Sequence, residues 1–520
     1  MTFNLADLFE TVVDTVPERV ALVVGQERWT FAELDADANR FAAFLAARGV
    51  GEGDRVGLHL PNGAPYVIAM IAALKLRAIP VNVNYRYVAA ELAYLFDNAG
   101  LSGLVTDVSF AREALAGGAG ALGFVVVTGG AAPAGTVPWA EAMAGDPSRV
   151  PVVRSEEDRY IVYTGGTTGM PRGVVWRHVD LLFAALQGGN PGDDPIPSPE
   201  ALAPNILARD PMVILPAAPL IHGAAQFSFW IATLTGGKVV LLSGSFDPAA
   251  AWQACADEGV GVLYIVGDAM GRPLAEVTGA WSLPSMYCVA SAGAVLSRSV
   301  RARLAERVPD AMILNNFGAT EVGHQGAALY DDDDPNARPR FFMNEDTAVL
   351  GDDGRPVGAG QIGRLARRGR IPLEYWRDPE KTARTFLVVD GERWVLPGDL
   401  AMVHEDGLVD LLGRGAACIN SGGEKVFPEE VEEAVKDHPA VADAIVVGVP
   451  DATWGERVVA VLATRPGHTA DPASLDAHTR HKVAGYKVPR AWVVVPHVTR
   501  HPSGKPDYRW ARDTALHHLE

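Results

Sequence analysis

Residues 163–178 read YTGGTTGMPRGVVWRH. The apolar run Tyr160-Ile161-Val162-Tyr163 leads into them as the end of a buried strand. Thr164, Gly165, Gly166, Thr167, Thr168 and Gly169 follow, then Pro171-Arg172-Gly173. Small residues let the backbone curl and present N–H groups to an anion, and three hydroxyls add short donors. Arg172 supplies a permanent charge whose fork suits phosphate oxygens. The stretch reads as a polyphosphate cradle, with a plain surface turn as the competing reading of any Gly/Thr-rich segment. It is not a Walker A loop, which needs G-x-x-x-x-G-K-[ST], because Gly169 is followed by Met170 and Pro171.

Outward from this turn, the flanks alternate strand and helix. Val20–Val24 and Trp29-Thr30-Phe31 form a hairpin across Gly25-Gln26. Ala32 to Arg48 carries helical periodicity through Leu34, Ala38, Phe41 and Leu45 and stops at Gly49. Residues 55–60 form a strand, 64–76 a helix and 79–83 the next strand, an alternation that implies parallel sheet. The expected fold is α/β, a large N-terminal domain of parallel-rich sheets with flanking helices and a small β subdomain, followed by a small α+β domain. Residues 190–210, rich in Pro, Gly and Asp, are expected to be a mobile surface loop. The run Asp331–Asp334 reads as a solvated loop, metal binding being the minor alternative.

At 520 residues the chain exceeds one compact core. A net charge of −18 argues against a nucleic-acid or anionic-membrane surface, so anionic substrates need local basic clusters. Cys255, Cys288 and Cys418 show no metal or CxxC spacing and fit a reducing compartment. The first twenty residues read as an acidic amphipathic helix rather than a signal peptide. The apolar window 66–74 is too short to span a bilayer, and ALHHLE at the C-terminus carries no targeting or lipidation box. A cytoplasmic location is expected, with no transmembrane segment; the oligomeric state, a homodimer included, is left open.

The 163–173 string resembles the phosphate loop of the adenylate-forming superfamily, which includes acyl-CoA synthetases, luciferases and peptide-synthetase adenylation domains. The usual form there is YTSGTTGxPKG, so Gly165 replaces a serine and Arg172 a lysine. Further motifs resemble the family's in order. PLIHG at 219–223 is similar to PLFHxxG, which implies that His222 lies beside the reacting carboxylate; Gln226 and Phe227 on the helix after it would suit a wall of the acyl pocket, with Gly318, and would equally suit core packing. Cys288–Ala294 resembles the SGGAP element near adenine, placing Gly293 there. Asn315-Asn316-Phe317-Gly318-Ala319-Thr320-Glu321 resembles YGxTE, with Phe317 for tyrosine; an aromatic face suits adenine stacking. Glu321, with Thr168, is the implied Mg²⁺ site, although alone Glu321 would read as a helix N-terminal carboxylate. Pro397-Gly398-Asp399 resembles TGD, and Asp399 with Arg414 is implied to hold the ribose.

Residues 413–417 are short and glycine-bearing, as a hinge should be, and Ala416 stands where relatives carry a charged hinge residue. The implied domains are 1–414, holding the ATP and acid sites, and 415–520, a mobile lid. Ser421-Gly422-Gly423-Glu424 resembles the loop lining the pantetheine tunnel. PSGKPDY at 502–508 resembles NGKxDR, which makes Lys505 the catalytic lysine between carboxylate and α-phosphate. Only about fifteen residues follow, too few for an appended carrier-protein domain.

The function this resemblance implies is an acyl-CoA synthetase. Mg·ATP and an acid form an acyl-adenylate and pyrophosphate, and CoA then takes the acyl group and releases AMP. Arg172, His222 and Lys505 would act in catalysis. The variants TGGTTG, PGD and GRGAACINSGGEKVFPEEVE look closest to actinobacterial ligases for fatty or steroid side-chain acids. An acyl-AMP ligase or stand-alone adenylation enzyme loading a carrier protein is the alternative, and a non-catalytic nucleotide-binding homologue the second.

Overall fold

The computed structural model describes residues 2–164, 170–294, 296–329, 340–414, 418–421, 424–451, 455–483, 485–501 and 504–519. For Leu329, Arg414, Asn420, Glu424, Lys425 and Gly455 it describes the backbone alone. The Asp331–Asp334 run lies outside the described residues.

Two sheets enclose the main core. In one, Arg159–Thr164 lies beside Ile79–Asn82, and Arg55–His59, Gly103–Asp107 and Val125–Thr128 continue in parallel. Arg172–Arg177 returns antiparallel to Arg159–Thr164, with Thr164 opposite Arg172. In the other, Val20–Val24, Lys238–Leu241, Val213–Pro216, Val262–Ile265, Cys288–Ser291 and Met312–Ala319 run parallel in that spatial order. Between the sheets pack Leu5–Thr15, Phe31–Ala47, Ala64–Lys75 and Gly223–Leu234, and one apolar cluster joins them to both sheets. Ala64–Lys75 is apolar almost all round, so it is buried all round. Its Lys75 sits 2% exposed, held by Glu10 at 2.5 Å and Asp35 at 2.6 Å. Among the described residues no helix is long and apolar enough to cross a membrane.

Met312–Ala319 turns back through Gly323–Leu329 into a small antiparallel β subdomain that includes Ile362–Arg367, Asp399–Val403 and Val409–Arg414. The last lobe is a sheet of Ile419–Ser421, Glu424–Val426, Val441–Asp451, Gly455–Thr464 and Ala491–Val494, flanked by Pro428–Lys436, Pro472–Arg480 and Tyr508–Leu519.

The 190–210 segment is corrected: it carries the helix Leu202–Ala208. Leu202 and Ile206, four residues apart, share one face and are fully buried, as is nearly Ile196. The Pro/Gly/Asp composition hid that short apolar stripe.

Candidate active site

A cavity of about 1000 Å³ opens where the two sheets and the last lobe meet. Thr164, at the end of its strand, lines it. The strand end is pinned by Asn82, whose Oδ1 accepts from Tyr163 N–H at 2.7 Å and whose Nδ2 donates to Tyr163 O at 2.8 Å and Ile221 O at 2.6 Å. One buried amide therefore ties the start of the Gly/Thr turn to the residue before His222. Asn82 was not singled out from the sequence, because a lone Asn on a strand carries no local signal.

His222 and Phe227 line the cavity from the helix Gly223–Leu234. Burial first, then the charges of Lys505 and Arg86, push the His222 imidazole down to about 4. The ring is neutral at neutral pH, and its buried Nε2 has no partner among the described residues. Gln226 does not line the cavity and is a correction. At 3.6 residues per turn its direction lies about 100° from that of its neighbour Phe227, and its amide bonds into the core. Tyr160 donates to its Oε1 at 2.6 Å, and its Nε2 donates to Tyr66 Oη at 3.1 Å and Leu220 O at 2.8 Å.

Gly293, Asn316, Phe317, Gly318 and Thr320 form the opposite wall. Phe317 meets Phe341 edge-on at 5.1 Å. A Cβ on Gly318 would fall on the Gly323 carbonyl, so only glycine lets these strands close. Asn315, predicted beside them, is buried and does not line the cavity; it precedes the irregularity in the strand at Phe317/Gly318, while Leu314 and Asn316 on the other face do line it. Trp176 donates to Thr320 O at 2.9 Å and anchors the turn before Glu321. Glu321 lies just off the wall, where Tyr375 donates to its Oε1 at 2.9 Å.

Arg172 is not on the cavity wall. Its Nε donates to Asp378 Oδ2 at 3.0 Å, and Asp378 also caps the helix Pro379–Thr385. One edge of its guanidinium therefore shares its charge with a nearby carboxylate. Gly165, Gly166, Thr167, Thr168 and Gly169 lie outside the described residues, as do Ala416, Gly422 and Gly423.

Lys505 reaches the cavity from the last lobe, with His501 beside it. Its loop is held by Arg500, which grips Asp443 with Nε at 2.7 Å and Nη2 at 2.6 Å and donates Nη1 to Gly504 O at 3.2 Å. His501 N–H donates to Lys505 O at 2.9 Å. Across the lobes, Arg465 donates to Glu276 Oε1 at 2.8 Å, and Arg303 donates to the same oxygen at 2.9 Å. Asp399, off the cavity wall, is the register partner of Arg414 across an antiparallel ladder, and of Arg414 only that backbone pairing is described. Ser421 is buried in the last sheet and does not line the cavity. Of Glu424, only its backbone pairing with Ser421 is described.

The profile described as AMP-binding enzyme matches residues 9–376, and that described as AMP-binding enzyme C-terminal domain matches 430–505. This chain belongs to the AMP-binding enzyme family. It is 43% identical to a medium/long-chain-fatty-acid–CoA/3-oxocholest-4-en-26-oate–CoA ligase of Mycolicibacterium smegmatis, over 99% of this chain and 96% of that one. It is 42% identical to the 3-oxocholest-4-en-26-oate–CoA ligase of Rhodococcus rhodochrous, with the same coverage. A solved anthranilate CoA ligase, AuaEII with anthranoyl-AMP, superposes with a TM-score of 0.84 at 23% identity, covering 99% of this chain and 98% of that one, and shares the fold.

Proposed function

We propose that this AMP-binding enzyme is an ATP-dependent acid–CoA ligase for a hydrophobic carboxylic acid, of the fatty or steroid side-chain kind named in its relatives. The observation that carries the reading is one cavity with Lys505 and His222 at one end and an apolar sheet face behind them.

A carboxylate oxygen attacks the α-phosphorus of ATP, the bond to the bridging oxygen breaks, and pyrophosphate leaves. Lys505 offsets the negative charge gathering between carboxylate and α-phosphate. Neutral His222 positions the acid by hydrogen bonding rather than by charge, through the nitrogen that otherwise has no partner. The Gly/Thr stretch 165–169 would give N–H groups and hydroxyls to the phosphates, Phe317 would cover adenine, and Asp399 with Arg414 would hold the ribose. Among the described residues no group of three or more His, Cys, Asp or Glu side chains could hold a metal ion. Mg²⁺ takes one or two protein carboxylates and otherwise phosphate oxygens and water. Glu321 with Thr168 would hold it, and when bound it neutralises phosphate charge.

The acyl-adenylate is a mixed anhydride. The CoA sulfur attacks its acyl carbon, the bond to the phosphate oxygen breaks, and AMP leaves; no protein nucleophile is needed. Lys505 at the cavity, with Ser421 away from it, supports reading this arrangement as that of the first step. The thioester step then calls for residues 415–520 to turn about the 413–417 hinge and bring 421–424 to the acyl group. ATP–pyrophosphate exchange with a panel of acids, followed by thioester formation with free CoA, tests both steps. We expect Lys505→Ala to lower exchange by a factor on the order of 10² to 10³ while ATP binding persists. Undiminished exchange in that variant would remove Lys505 from the mechanism.

A further inference from the structure

The cavity floor is one face of the parallel sheet. Ile214, Val262, Cys288 and Met312 are register partners across four neighbouring strands, and all four line the cavity. Two residues further along, Tyr264, Ala290 and Leu314 form the next rung, and Asn316 stands beyond them at the phosphate end. Residues two apart share a face. At roughly 3.3 Å per residue, the floor from Asn316 back to Met312 runs about 13 Å. The far end of this floor is open: Met312 is 60% and Tyr287 46% exposed.

The 187–209 segment roofs this far end, where Gln187, Pro191, Gly192 and Arg209 line the cavity. Gln187, Gly188 and Gly189 turn the chain through three successive left-handed residues, with φ of 54°, 59° and 72°. Arg209 is then fixed in place. Its Nη1 donates to Asn190 Oδ1 at 2.8 Å and its Nη2 to Pro191 O at 2.8 Å, while Asn205 donates to the same Asn190 oxygen at 3.0 Å. No carboxylate pairs with Arg209 among the described residues, and its buried Nε has no acceptor there. Its charge reaches Tyr287, where it opposes the burial and the Cys288 thiol that push the phenol up. A guanidinium half-satisfied in an apolar channel is costly. Adenylation chemistry, at the opposite end, does not use it.

We propose that Arg209 and Tyr287 bind an oxygen atom at the distal end of the acid, a ketone or a second carboxylate. The enzyme thereby selects long acids bearing a hydrogen-bond acceptor far from the carboxylate that reacts. The inference rests on the reading that this cavity holds the acid. A plain alkyl end would desolvate the guanidinium without replacing its water, whereas an acceptor oxygen completes it.

The test uses the full-length enzyme, pyrophosphate exchange and three acids of equal length: unsubstituted, bearing a ketone next to the terminal carbon, and α,ω-dicarboxylic. At least one of the two oxygenated acids is expected to show a KM about tenfold below that of the plain acid. Arg209→Gln and, separately, Tyr287→Phe are expected to erase that ratio; the second removes only a hydroxyl from a partly exposed ring, so folding is not at risk. An advantage confined to the diacid identifies an anionic end, and one confined to the keto acid a neutral end. Equal KM values for all three acids in the unaltered enzyme overturn the inference, as does an equal loss for all three in the variants. Exchange with none of the acids sinks the reading of the cavity itself, and this inference with it.

Discussion

Glu321 and Tyr375 show how a residue's role is set by its neighbour. In the proposed Mg²⁺ site the Tyr375 hydroxyl, donating to Glu321 at 2.9 Å, would fix the direction of that carboxylate. We expect Tyr375→Phe to lower exchange about tenfold and to raise the Mg²⁺ concentration for half-maximal rate, since groups that orient a ligand carry such effects. An unchanged Mg²⁺ dependence would mean that Tyr375 serves packing alone. The motif resemblance singled out His222, Phe317 and Lys505, and the cavity holds all three. It also singled out Gln226 and Arg172, whose partners Tyr66, Tyr160 and Asp378 come from 66 to 206 residues away. Nothing local to either residue announces those partners.

At the scale of elements, the hinge strand meets the first helix of the last lobe at one point. Gly413 has φ of 86°, and a Cβ there would fall inside the Glu429 carboxylate. Burial first, and then the charges of Glu432 and Asp399, push Glu429 up to about 7. Gly413→Ala therefore meets both backbone strain and a buried acid and should displace the helix Pro428–Lys436. If Lys505 acts as proposed, adenylation is expected to fall about tenfold, while transfer from supplied acyl-adenylate to CoA falls less. Equal losses in the two half-reactions would argue for general unfolding instead. The strand–helix alternation of the first hundred residues was legible because period 2 and period 3.6 are local. The helix Leu202–Ala208 was not, since two buried apolar residues in a polar stretch have meaning only against the surface that covers them.

The whole molecule carries neutral histidines in its core. Burial pushes His59 and His178 down to about 4, from an ordinary 6.5. His178 accepts the Leu5 N–H at 3.2 Å, which a protonated ring could not do. Between these values the unfolded chain binds more protons than the folded one, so stability is full above about pH 6.5 and is lost as pH falls toward 4. Near pH 5 the two rings together give a slope of about 2 kcal/mol per pH unit, readable as a fall in Tm across pH 6.5–4.5. A flat Tm over that range would show that the rings are charged or exposed.

The chain's own letters determined the class of fold, the order of its elements and the family, because turns, periodicity and short motifs are properties of neighbouring residues. Tertiary structure alone decided which motif residues face the cavity. It turned Gln226 inward, paired Arg172 with Asp378, and set Arg209 and Tyr287 at the open far end of the channel. Direction and partnership depend on side chains brought together across the whole sequence, and burial prices them only once the chain has closed around them.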